Sequence, residues 1–191
     1  MDYAQSHPLF REFPVSGFLG GSLKLIQHDL KFASDSLSWV SDPELGKQMG
    51  ADFSVVSIKT EEDRIFEILA NSDEYHWVIS LDGKAVGSIF IGSIADETKK
   101  AGVRAGMMSY LLAKDCRRKG IMTTVVQEVL RWAFEEGGFE VILSRVLDTN
   151  AASIGFLKKI GFIDDGTESL AADEKSYLDA KEWRRFYLRR G

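Results

Sequence analysis

The feature that most constrains this chain is a switch of periodicity at a glycine. Residues 107 to 112, Met-Met-Ser-Tyr-Leu-Leu, are an apolar and aromatic run without a breaker, which predicts a strand. A basic run, Arg117-Arg118-Lys119, leads to Gly120. From Ile121 the spacing turns helical: Ile121, Val125, Val129 and Trp132 recur on one face, with Met122, Val126 and Ala133 beside them. The pattern ends at Gly137-Gly138, where a left-handed C-cap is expected. Strand, basic glycine turn and helix start together make an anion site. The first N–H groups of a helix have no partner within it and sit at the positive end of its dipole. Gly120 has no Cβ to keep a bulky anion from the backbone. The expected guest is a phosphate or pyrophosphate.

The Walker A pattern, Gly-x-x-x-x-Gly-Lys-Ser/Thr, and the dinucleotide turn, Gly-x-Gly-x-x-Gly, are both absent from this stretch. A second element follows the next predicted strand (residues 140–147). It reads Asp148-Thr149-Asn150-Ala151-Ala152-Ser153, then a helix closing in Lys159-Ile160-Gly161-Phe162. Arg117-x-x-Gly120-x-Met122 resembles the acyl-CoA pyrophosphate loop of the GNAT superfamily of N-acetyltransferases, usually Gln/Arg-x-x-Gly-x-Gly/Ala. Met122 is similar to the residue used in the ribosomal-protein N-terminal (RimJ/RimL-like) branch, and Arg118 stands where Gly is common. The second element resembles that superfamily's Asn-x-x-Ser/Ala signature. The resemblance covers roughly residues 21–190.

The resemblance implies an α/β fold: a mixed, mostly antiparallel twisted sheet with flanking helices and a central β-α-β acyl-CoA unit. It implies acetyl-CoA as cosubstrate, no metal, and a primary amine as acceptor, either a protein N-terminus or a small molecule. The pyrophosphate would lie on Arg117, Arg118, Lys119, Gly120, Ile121, Met122 and Thr123, with Thr124 able to add a hydroxyl. Pantetheine would run along Leu111, Leu112 and Ala113, whose N–H groups would polarise the thioester carbonyl. Asn150 is either a cofactor contact or an N-cap, and Ser153 either assists the departing sulfur or satisfies the start of its own helix.

The proton-transfer residues are less determined. Related sequences often carry a carboxylate just before Gly-Tyr on the central strand; here the strand reads Met107-Met108-Ser109-Tyr110. Tyr110, a water chain, Asp42, Glu97 and Asp115 are the candidate bases. Where many members have an acidic tyrosine, this chain has Leu157. His76 reads as structural. Cys116 lies beside the phosphate loop with no histidine near it in sequence, which argues against a covalent acyl intermediate. An α-amine, with a reference pKa of about 7.7–8.0, asks less of a base than a lysine-like amine near about 10.4. Two other readings stay open: a coenzyme A-binding module with little catalysis, and an acyltransferase with another acyl donor or a hydroxyl acceptor.

The chain has 191 residues, 45% of them hydrophobic, enough for one domain (1–191) with a full core behind an irregular arm (1–20). The net charge of −5 argues against general nucleic-acid binding. No apolar run is long enough for a bilayer, and Met1-Asp2-Tyr3 opens no signal-peptide pattern. With Cys116 the single cysteine, a cytoplasmic setting is expected; a homodimer is compatible with the sequence. The remaining predicted elements are a strand at 22–28, a helix at 29–40 and a short helix before Gly50. A helix opened by a capping-box-like Thr60-Glu61-Glu62-Asp63 runs to Asn71, with Ile65, Phe66, Ile68 and Leu69 inward. Strands at 75–81 and 84–94 meet at Asp82-Gly83, the second central in the sheet, and 96–102 is a charged connection. A final antiparallel pair includes 182–189, preceded by an acidic connection at 164–178. This opening resembles the family's first strand and helix pair, whose connecting loop usually forms one wall of the acceptor pocket, and the resemblance makes Trp39, Asp42, Glu44 and Asp52 candidates for that pocket.

Overall fold

The structure is a computed structural model that describes residues 7, 10–49, 56–170 and 182–191. Its elements in chain order are β1 (Phe13–Pro14), β2 (Leu23–Gln27), α1 (Ala33–Val40), α2 (Pro43–Met49), α3 (Ile58–Ala70), β3 (Glu74–Leu81) and β4 (Lys84–Ser93). After these come α4 (Ala95–Ala101), β5 (Ala105–Leu112), α5 (Ile121–Glu135), β6 (Val141–Leu147), α6 (Ala151–Lys159), β7 (Ile163–Ser169) and β8 (Glu182–Arg189). The eight strands form one sheet in the order β1-β2-β3-β4-β5-β6-β8-β7. Every neighbouring pair is antiparallel except β5–β6, the two strands joined through α5.

Local chemistry accounts for most of these elements. Asp82 and Gly83 have φ of 51° and 82°, the positive pair that a two-residue hairpin turn requires. β4 lies between β3 and β5, which explains why both of its faces are apolar. Its odd-numbered neighbours on β3, Trp77 and Ile79, share a core with Val125, Val129 and Trp132 of α5. Val78, on the opposite face, packs instead under Trp39 of α1. α5 therefore covers one face of the sheet and α1 the other, with Glu61 of α3 accepting a 2.7 Å hydrogen bond from Ser36 of α1.

The structure departs from the sequence reading in five places. Residues 95–101 form a helix, closed by Gly102 in the left-handed region, where a connection was expected. α3 starts two residues earlier than Thr60: Ser57 is its N-cap, and Thr60 is the partner that completes a reciprocal capping box. Phe66 is 66% exposed rather than inward, because only Ile65 and Ile68 of that set are buried. The partner of β8 is β7 at Ile163–Ser169, inside the stretch expected to be a connection; its mixed polar pattern follows from its place at the sheet edge. Finally, the N-terminal arm holds the edge strand β1, and Phe10 stacks on Trp77 at 5.4 Å.

Candidate active site

The central parallel pair separates almost as soon as it forms. β5 and β6 are in register only at Ala105–Val141, Gly106–Ile142 and Met107–Leu143. Beyond that, β5 stays with β4 as far as Ala113, whose N–H donates to the Val86 carbonyl at 2.8 Å. β6 stays with β8 as far as Asp148, whose N–H donates to Glu182. The strands thus splay into a cleft of about 240 Å³ lined by Phe90, Met107, Ser109, Tyr110, Ser144 and Ser153 among others. Alternation along an antiparallel strand then decides which backbone groups face it. Ala113 bonds to Val86 of β4 and Ala105 to Ile94 just past its end, so Leu111 bonds to β4 too, and Tyr110 and Leu112 present their N–H groups to the opening. Of the three residues Leu111, Leu112 and Ala113, alternation turns only the Leu112 N–H to the opening; the N–H groups of Leu111 and Ala113 serve β4.

At the end of the cleft the chain makes a short 3-10 turn, Lys114–Cys116, and reaches Gly120, the N-cap of α5, at φ 82°. No side chain caps α5 and its first turn holds no acidic residue. A Cβ built on Gly120 would meet nothing within 4 Å. The first N–H groups of Ile121, Met122 and Thr123 lie at the positive end of a 15-residue helix that no side chain caps. Arg118 and Lys119 are exposed beside them. Arg117 is used differently from its neighbours. Its Nε donates to the Leu112 carbonyl at 3.0 Å and its guanidinium lies 3.4 Å from Asp42. It braces the turn against the strand and the α1–α2 corner. The Thr124 hydroxyl donates back to the Gly120 carbonyl at 3.2 Å.

The other wall of the cleft is α6. Its N-cap is Asn150, whose Oδ1 accepts the Ser153 N–H at 3.1 Å while its Nδ2 donates to the Gln48 carbonyl of α2 at 3.2 Å. With the helix start satisfied by Asn150, the Ser153 hydroxyl is directed elsewhere, to the Tyr110 phenol at 2.7 Å. Tyr110 is held edge-on against Phe156. Burial pushes its pKa up to about 12, against a smaller opposing effect of Ser153. A phenol so placed stays protonated and suits a donor, which removes it from the candidate bases. Leu157, where a tyrosine was sought, is fully buried in the core.

Of the remaining candidates, Trp39, Asp42, Asp115 and Cys116 line one other hollow, and the rest lie apart from it. Asp42 is held by Arg117, Glu44 accepts from Gln48, and Glu97 pairs with Arg185 at 3.5 Å, so the structure puts none of these on the cleft wall. Asp115 faces a different hollow, beside Trp39 and Lys84. Trp39 is buried, and Asp52 lies outside the described residues. Burial pushes the Cys116 thiol up, which favours its protonated form. His76 is buried, donates to Glu74 and stacks on Phe90 at 4.6 Å. Phe90, one of the apolar positions of the strand expected at 84–94, lines the cleft, where apolar patterning alone gave no sign of it. Among the described residues no group of three His, Cys, Asp or Glu is arranged to hold a metal ion, and no helix is long and apolar enough to cross a membrane.

Comparison with known proteins fits this geometry. A family model described as acetyltransferase (GNAT) domain matches residues 23–163. The probable N-acetyltransferase YjcK of Bacillus subtilis (strain 168) is 30% identical over 102 residues, 52% of this chain and 54% of that protein. The chain thus spans about half the length of the curated relative it matches. Among solved structures, the ribosomal-protein α-N-acetyltransferase RimL in complex with coenzyme A has a TM-score of 0.76 at 16% identity, covering 94% of this chain and 98% of that one. A microcin self-immunity acetyltransferase in complex with acetyl-CoA and AMP has a TM-score of 0.73 at 16% identity, covering 88% and 92%. At such identities these two structures speak for the fold alone.

Proposed function

Because the chain belongs to the GNAT acetyltransferase family, we propose that it transfers an acetyl group from acetyl-CoA to a primary amine by direct attack within a ternary complex. The acceptor is a protein N-terminus or a small-molecule amine. The observation that carries this reading is the splay of β5 from β6, with the uncapped start of α5 at its end and the Tyr110–Ser153 pair on its wall. The diphosphate occupies the N–H groups of residues 120–123, with Arg118 and Lys119 supplying charge. Pantetheine enters the cleft along Leu112, whose N–H polarises the thioester carbonyl. The sulfur lies at Ser153, which passes a proton to the departing thiolate and is resupplied by Tyr110. Asn150 holds Ser153 in place and ties it to α2, the wall that carries Gln48 and Met49. Holding both reactants in one cleft supplies much of the acceleration.

The test is an acceptor screen with acetyl-CoA and detection of free thiol, run over peptides with different N-terminal residues, polyamines and aminoglycosides. Steady thiol release with one class of amine is the expected result. Tight coenzyme A binding without turnover on any amine would refute the catalytic reading and leave a binding module.

A further inference from the structure

Leu112 lies where β5 has lost its parallel partner. Alternation turns the carbonyl of a strand residue to the same side as its N–H, so both groups of Leu112 face the opening that β6 has left. A carbonyl so placed needs a donor, and Arg117 Nε supplies it at 3.0 Å. The N–H of the same residue is left for the thioester. The other end of the guanidinium reaches Asp42, Nη2 to Oδ2, at 3.4 Å. Asp42 is the residue that starts α2: its Oδ1 accepts the Glu44 N–H at 3.1 Å, and its carbonyl accepts those of Leu45 and Gly46. α2 ends in Gln48 and Met49 on the cleft wall. There the Gln48 carbonyl accepts from Asn150, the cap of the helix that carries Ser153. Between the α1–α2 corner and the turn at 114–116 lies a hollow of about 490 Å³, with Trp39 and Asp42 on one side and Ala113 and Cys116 on the other. That space leaves the corner room to shift against the turn, and the Arg117–Asp42 pair is a polar tie between the two sides.

We propose that Arg117 is a positioning residue for the transfer and not a ligand of the diphosphate. One end of its guanidinium sets the Leu112 peptide that meets the thioester carbonyl. The other end, through Asp42, sets the α2 wall that meets the amine. This rests on the acetyltransferase reading above and names the group that brings its two substrates to one spacing. The diphosphate is left to the N–H groups of the turn and to Arg118 and Lys119. The Arg117 and Asp42 side chains are 27% and 17% exposed, and an ion pair reached by water adds little to stability. Its value lies in placement, since a reactant misplaced by about 1 Å can lose about 100-fold in rate.

Two variants and their combination decide the matter. Arg117→Met removes both ends of the tie and keeps an apolar stem. Asp42→Asn keeps a side chain that caps α2 and removes the charge facing Arg117. With an amine found by the screen, Arg117→Met should lower kcat/KM by about 10- to 100-fold, with kcat reduced through Leu112 and KM for the amine raised through α2. Asp42→Asn should raise the KM for the amine alone. The double variant should match Arg117→Met, because its second change cuts a tie already lost. Coenzyme A should bind Arg117→Met as it binds the wild type, whereas Lys119→Met should bind it more weakly, most clearly at low salt. Equal weakening by Arg117→Met and Lys119→Met would make Arg117 a diphosphate ligand and overturn the proposal. Additive losses in the double variant, or a lower Tm with kcat/KM unchanged, would do the same. A further measurement needs no turnover: 15N spectra of the coenzyme A complex. The Asn150 side-chain amide, bonded to the far end of α2, should shift in Asp42→Asn; an unmoved Asn150 amide overturns the tie. If the wild type acetylates no amine while this shift occurs, the transferase reading fails and the tie between turn and wall stands.

Discussion

Replacing Gly120 by Asp puts a negative charge where the proposed diphosphate binds, and the structure separates that charge from its side effects. A Cβ at this position meets nothing within 4 Å, so sterics cost little. The backbone stays at φ 82°, which costs an L-residue about 1–2 kcal/mol, less for Asn and Asp than for others. Gly120→Asn bears the same strain in nearly the same shape, so the difference between the two variants isolates the charge. Two unit charges about 4 Å apart repel by about 1 kcal/mol in water and about 4 kcal/mol at an effective dielectric of about 20. The turn is exposed, so a middle figure of about 2 kcal/mol applies, or roughly 30-fold in affinity at 25 °C. Titration calorimetry with coenzyme A should show the Asp variant about 30-fold weaker than the Asn variant at low salt, with the gap narrowing at high salt. Circular dichroism melts of the two should agree. Equal affinities of Asp and Asn variants would refute the placement of the diphosphate on this turn.

Ser153→Ala should lower kcat by about 10- to 100-fold, at the low end of general-acid effects because a thiol of pKa near about 8.5 leaves readily, while the Kd for coenzyme A holds. Tyr110→Phe should resemble it in steady-state kinetics, at a stability cost of about 1 kcal/mol for the lost hydrogen bond in a denaturant titration. An effect confined to stability in both would make the pair structural. Asn150→Asp keeps the acceptor that caps Ser153 but replaces the donor to Gln48 with an oxygen, so KM for the amine should rise while Tm changes little. His28 is buried, and burial holds its pKa down to about 3. A group whose folded pKa is depressed from 6.5 loses its stabilisation as pH falls from there toward 3, at up to about 1.4 kcal/mol per unit. His28→Leu should therefore melt higher than the wild type, by a margin that grows between pH 7 and pH 5; a margin independent of pH would sink this account.

Elements whose cause lies within a few residues could be read directly. The Asp82-Gly83 turn, the α5 start at Gly120 and the Asn150 cap each depend on backbone angles or a side chain next to the hydrogen bond it makes. The helical stripe of α5 was equally plain, since its buried valines and Trp132 repeat at the helix period. Errors came where a distant partner decided. Phe66 carries the same local signal as Ile65, yet it stands in solvent while Ile65 is buried. Residues 163–169 have too little alternation to read as a strand, and they are one because β8 supplies the pairing.

The sequence by itself determined the glycine turn at the start of α5 and the order of strands and helices around it, because these follow from periodicity and from glycine's freedom at positive φ; the family followed from the resemblance of two short motifs. The tertiary structure alone decided which groups share the cleft: Tyr110 meets Ser153 across 43 positions of chain, and Arg117 turns to Asp42 across 75. Such contacts are set by strand register and by where two strands part, and a one-residue slip would turn every one of those side chains to the other face.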